Sequence, residues 1–87
     1  MCSMDKIASC EISFIPIMSK NYIDEVKEVI EIIKCYDLEY NVGILSTTIR
    51  GSKEKIFDMV KEIYDKMDKK TNFTMDIKIS NICGCKK

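Results

Sequence analysis

Eighty-seven residues, 46% hydrophobic and 32% charged, describe one small globular domain, neither disordered nor membrane-embedded. Fourteen basic residues cancel fourteen acidic ones, so the chain lacks the basic excess that holds nucleic acid or anionic lipid. Histidine is absent, which removes the usual general base near neutral pH and most catalytic zinc patterns.

No apolar run approaches the roughly 20 residues of a membrane span. The opening MCSMDKIASCE has no long apolar stretch after a basic start, so a cytoplasmic location is expected. The whole chain, 1–87, reads as one domain with an ordered core over about 7–82 and a short cysteine-containing tail at 83–87.

The first periodic segment is IASCEISFIPI, residues 7–17. Ala8, Cys10, Ile12 and Phe14 alternate with Ser9, Glu11 and Ser13, the period of a half-buried strand, and Pro16 is expected to end it. Asn21 is placed to cap a helix of about four turns whose apolar stripe is Val26, Val29, Ile30 and Ile33. A second strand spans about Leu38 to Val42, and Gly43 supplies a turn into a third strand over Leu45 to Arg50. Ser52 should cap a second helix with Ile56, Met59, Val60, Ile63 and Met67 on its buried side. After Lys69-Lys70-Thr71-Asn72, a last strand alternates Phe73, Met75, Ile77 and Ile79 with Thr74, Asp76, Lys78 and Ser80.

The order β-α-β-β-α-β predicts a ferredoxin-like α+β fold: a two-layer sandwich of a four-stranded antiparallel sheet with both helices on one face. The other sheet face is then open and polar, carrying Ser9, Glu11, Ser13, Ser46, Thr48, Arg50, Asp76 and Lys78. By the same alternation Thr47 lies with Leu45 and Ile49 on the helix side. It is the one hydroxyl of Ser46-Thr47-Thr48 that the pattern places inside.

A threonine there is either a β-branched strand residue satisfied by nearby backbone, or the polar anchor of a small, mostly apolar pocket. Phe14, on the same face of the neighbouring strand, would supply an apolar wall. Arg50-Gly51-Ser52-Lys53 reads as an ordinary helix start, since one glycine is not a phosphate-binding loop. Cys83-Gly84-Cys85 could bind a soft metal but has no second ligand pair at a familiar spacing, and no metal site is assigned. Cys10 and Cys35 read as small buried hydrophobes, and Glu11 and Asp76 as partners of Lys78 and Arg50. No catalytic constellation emerges. The chain is expected not to be an enzyme and to need no cofactor.

With strands one and three placed, the chain resembles the YkoF-like thiamine/hydroxymethylpyrimidine-binding proteins and their single-domain relatives. Cys10-Glu11-Ile12-Ser13-Phe14-Ile15-Pro16 is similar to the family's first strand, which ends in a hydrophobic pair and proline. Ser46-Thr47-Thr48-Ile49-Arg50-Gly51-Ser52 is similar to its S-T-x-L-x-G-S turn into helix two, continued by Ile56-Phe57-Asp58 and Ile63-Tyr64. Thr71-Asn72-Phe73-Thr74-Met75 resembles its approach to the last strand. The likeness spans about residues 7–82 and departs at Ile15, where an aromatic often stands, and at Gly43-Ile44.

The resemblance implies non-catalytic cytoplasmic binding of thiamine or its hydroxymethylpyrimidine moiety. It also implies pairing of domains, here through self-association as a dimer or tetramer. Carried over by position, the implied ligand contacts are Thr47 and Phe14, then Ser46. The alternative is an oligomeric assembly or regulatory module without a small-molecule ligand, and after it a metal-binding role for the C-terminal Cys-x-Cys.

Overall fold

The computed structural model describes residues 7–82. Six elements follow one another: β1 (Ile7–Ile17), α1 (Tyr22–Lys34), β2 (Glu39–Val42), β3 (Thr47–Ser52), α2 (Lys53–Asp68) and β4 (Asn72–Ser80). The strands form one sheet in the order β2-β3-β1-β4, with every neighbouring pair antiparallel. The fold is the ferredoxin-like α+β sandwich that the hydrophobic periodicities predict.

Strand alternation sorts the side chains as expected. Ala8, Cys10 and Ile12 of β1 and Ile49 of β3 are buried against Val29, Ile32 and Ile33 of α1 and Ile56, Met59, Ile63 and Met67 of α2. Burial of seven side chains to less than 2% exposure concentrates the hydrophobic stabilisation in this layer, at about 1.5–3 kcal/mol for each large one. Gly51 is part of the same packing, because a Cβ there would run into the Leu38 side chain.

Local details depart from the sequence expectations. Pro16 does not end β1; it pairs with Phe73 inside the β1–β4 ladder, which continues to Ile17 opposite Asn72. Pairing of β1 with β3 stops at Ile12, so Pro16 sits where β1 has a single neighbour and its missing N–H breaks no bond. β3 begins at Thr47, two residues later than anticipated, and runs on through Ser52 directly into α2. Asn21 and Ser52 hold the N-cap positions without making side-chain cap bonds. At α1 the Ser19 hydroxyl instead accepts from the Asn21 N–H (3.0 Å) and donates to Glu25 (2.7 Å).

Cys35 is exposed, not buried, because it occupies the C-cap just beyond the last turn of α1. Cys10 is buried, and burial, reinforced by the neighbouring Glu11 charge, pushes its thiol up to about 11. Arg50 pairs with Glu39 across the β2–β3 ladder (2.6 Å), while Glu11 accepts the Ser46 hydroxyl (2.7 Å). Arg50 thus has a cross-strand partner in Glu39, beside the open-face carboxylates the alternation places near it. Cys2, Cys83 and Cys85 lie outside the described residues.

Candidate functional site

The β1–β3 register generates a gap. Ile12 is opposite Thr47, and the same register carried further would set Leu45 opposite Phe14. The chain instead turns at Gly43-Ile44, where Gly43 N–H bonds the Ser46 carbonyl (2.9 Å). A Cβ at Gly43 would lie 2.9 Å from that oxygen, so the tight turn needs glycine. The Leu45 carbonyl accepts the Ser13 hydroxyl (2.9 Å).

Main-chain geometry follows from Pro16. Lacking an N–H, it must form a non-hydrogen-bonded pair with Phe73, and alternation along β1 then turns the Phe14 N–H and C=O toward the β3 side. No ladder partner meets them there, since the pairing has ended at Ile12.

A cleft of about 150 Å³ occupies this gap. Its floor is β1 from Ile12 to Phe14, one wall is α1 through Val26, Val29, Ile30 and Ile33, and the other is the hairpin from Val42 to Thr47. At its mouth Ile44 and Leu45 are 100% and 88% exposed. Thr47 lies on the helix side, between Ile12 and Val42 in the sheet, and is half-buried. Its hydroxyl makes no hydrogen bond to any described residue, and the local backbone bond that would satisfy a purely structural threonine is not formed. The Phe14 ring is held by Phe73 at 4.9 Å, and Phe73 in turn receives Tyr64 edge-on at 5.4 Å.

The structure therefore brings all three sequence-predicted residues, Phe14, Thr47 and Ser46, to one cleft. They differ in what they present. Among the described residues, Phe14 presents a fixed ring edge and a strand backbone without a ladder partner on the β3 side, and Thr47 a hydroxyl without a partner. The Ser46 hydroxyl is committed to Glu11 on the far face, so Ser46 borders the cleft through its main chain. The α1 wall and the apolar hairpin tip were not foreseen as site residues. The α1 positions carried a helical stripe, but nothing in that stripe separates a pocket wall from ordinary core.

Among the described residues, no group of three or more acidic or cysteine side chains is arranged to hold a metal ion. No helix among them is long and apolar enough to cross a membrane. Among the described residues the arrangement is chemically simple: apolar walls, one hydroxyl without a partner and one strand edge able to donate and accept. That combination can orient a small planar heterocycle.

Solved structures share the architecture. A Thermotoga maritima protein assigned provisionally to thiamine biosynthesis or salvage superposes with a TM-score of 0.75 at 25% identity, covering 85% of this chain and 82% of its own. A hypothetical protein of Methanocaldococcus jannaschii gives 0.77 at 25% identity, with 86% and 79% coverage. A Bacillus cereus domain of unknown function shares the fold at 0.78 and 22% identity, over 97% and 84%. No curated protein matches the sequence. The profile of the YkoF-related family matches residues 7–86, and with nearly the whole chain covered, the protein belongs to that family.

Proposed function

We propose that this protein is a non-catalytic cytoplasmic binder of thiamine or of its hydroxymethylpyrimidine moiety, working as a homo-oligomer and needing no cofactor. The observation that carries the reading is the half-buried Thr47 hydroxyl, without a partner among the described residues, on the wall of a cleft beside an unpaired strand edge. Family membership and the thiamine-related name of the Thermotoga relative support the ligand class.

Size favours the pyrimidine end. Small-molecule pockets usually run from about 300 to 1,000 Å³. At about 150 Å³ this cleft suits one six-membered ring, with any remaining part of the ligand emerging past Ile44 and Leu45. An aminopyrimidine presents a donor beside an acceptor along one edge, complementary to the Phe14 C=O and N–H. Thr47 would take a further ring nitrogen, and Phe14 and the α1 side chains would cover the faces.

Isothermal titration with thiamine, its phosphates and hydroxymethylpyrimidine tests the proposal, and no heat from any of them at millimolar concentration ends it. Thr47→Val should weaken binding by about 1–3 kcal/mol, because the ligand loses a buried partner, while the fold is retained. An unchanged affinity would place the site elsewhere. The second reading, an assembly module without a ligand, draws on the open sheet face, where Ser13, Glu11 and Ser46 bond one another's strands and no helix covers them. A stable oligomer that responds to none of these compounds would favour it.

A further inference from the structure

We infer that Ser13 and Glu11 are positioning residues for the cleft. From the open face of the sheet they hold the β2–β3 hairpin where the Phe14 main chain stays available to a ligand. This role rests on the binding reading above and deepens it.

Beyond the ladder, the hairpin has little else to hold it. Pairing ends at Ile12 opposite Thr47 on one side of β3 and at Val42 opposite Thr47 on the other, which leaves residues 43–46 outside the sheet. The bond from Gly43 N–H to the Ser46 carbonyl (2.9 Å) closes the tip on itself, not on β1. Ile44 and Leu45 are 100% and 88% exposed, so apolar packing does not anchor the tip. Among the described residues, two side-chain bonds join it to β1. The Ser13 hydroxyl donates to the Leu45 carbonyl (2.9 Å), and the Ser46 hydroxyl donates to Glu11 (2.7 Å).

The kind of bond matters as much as the number. A continued ladder would set Leu45 opposite Phe14, and the Leu45 carbonyl would then take its bond from the Phe14 N–H. The Ser13 hydroxyl supplies that bond instead. By the alternation that Pro16 fixes, the Ser13 main chain faces β4, so only its side chain can reach the hairpin. The wall is thereby tied down without spending the donor or the acceptor of Phe14. Glu11, opposite Thr48 within the ladder, ties the next hairpin residue, and its carboxylate strengthens the bond. Both ties lie on the open face, which leaves the helix side of the gap, with Thr47 and the α1 wall, unobstructed.

Both bonds are exposed, and exposed hydrogen bonds add little to global stability. Their loss should therefore register at the cleft and hardly at all in unfolding.

Amide hydrogen exchange of the full chain, followed by NMR without ligand, reads the ties directly. In the double variant Ser13→Ala with Glu11→Ala, the Gly43 and Thr47 amides should exchange about tenfold faster, while Cys10 and Ile49 stay within about twofold of the parent. Titration of the same variant with hydroxymethylpyrimidine and thiamine should show affinity lowered by about fivefold or more, because the wall is no longer preorganised. Ser13→Thr with Glu11→Gln keeps a hydroxyl and an acceptor, and should return both readouts to near the parent values. Parent-like exchange at Gly43 and Thr47 in the alanine variant overturns the inference. So does accelerated exchange with affinity unchanged. If the parent binds neither compound, the ligand reading fails, and exchange alone then decides whether the two side chains hold the hairpin.

Discussion

The two helices cover the same sheet face but seal it to different degrees. On α2, Ile56, Met59, Ile63 and Met67 are each 0% exposed. On α1, Val29, Ile32 and Ile33 are buried, yet Val26 and Ile30 are only half-buried, and Tyr22 and Ile23 are exposed. The difference lies beneath the helices rather than in them. α2 leaves β3 without a loop and packs over β1, β3 and β4. The first turns of α1 overhang the region where β3 has ended and the hairpin has turned away. An equally amphipathic helix thus seals the core where strands continue and borders a cleft where they stop.

Truncations and additions should separate these two regions. The largest effect belongs to the sealed side. Met59→Ala or Ile63→Ala should cost about 2–5 kcal/mol in urea unfolding, because each leaves a cavity in a layer that is fully closed. A cost below 1 kcal/mol would mean that α2 is less tightly packed than described. Next, adding bulk should distinguish the sides: Ile63→Phe overpacks and should cost about 1–3 kcal/mol. Ile30→Phe has the cleft to expand into, so it should leave stability nearly unchanged while reducing affinity for hydroxymethylpyrimidine.

Smaller effects come from the polar link between the end of α1 and the middle of α2. The Tyr36 hydroxyl donates to Glu62 (2.6 Å), which Lys66 also engages (2.8 Å). That bond, with burial and the Glu62 charge, pushes the Tyr36 phenol up to about 12 from 10. The unfolded chain therefore loses this proton first, and stability should decline as pH rises from 10 toward 12. Lys66 and then Tyr36 hold the Glu62 carboxyl below its ordinary 4.5, so its contribution is present above that pH and is lost on acidification below it. Tyr36→Phe should cost no more than about 1 kcal/mol at neutral pH and flatten the alkaline decline. The least consequential test is chemical: iodoacetamide should modify Cys35 readily in the native protein and leave Cys10 untouched until unfolding.

The fold was largely legible in the sequence because each element buries one face and the alternations are clean. Ala8, Cys10 and Ile12 on β1, and the α2 stripe from Ile56 to Met67, are buried where their periodicity places them. Counting along β3 alone likewise places Thr47 on the helix side. What could not be read was where pairing stops. Pro16 looks like a terminator in one dimension, but it is harmless where a strand has one neighbour, and that depends on the length of a different strand. The exposure of Cys35 escapes the sequence for a related reason: a helical stripe ends with the helix, and Cys35 falls one residue past it. The Ser46 hydroxyl found Glu11 across the ladder, a contact set by register between residues 35 positions apart.

The short β3 has a consequence for how such a site can be altered. If the hairpin were two residues longer, Leu45 could zip onto Phe14, the ladder would consume the free backbone groups, and the cleft would close into continuous sheet. The room beside β1 in this architecture is then a matter of arithmetic at a turn. Insertions or deletions around Gly43 can create, widen or abolish a pocket while every buried side chain stays where it is.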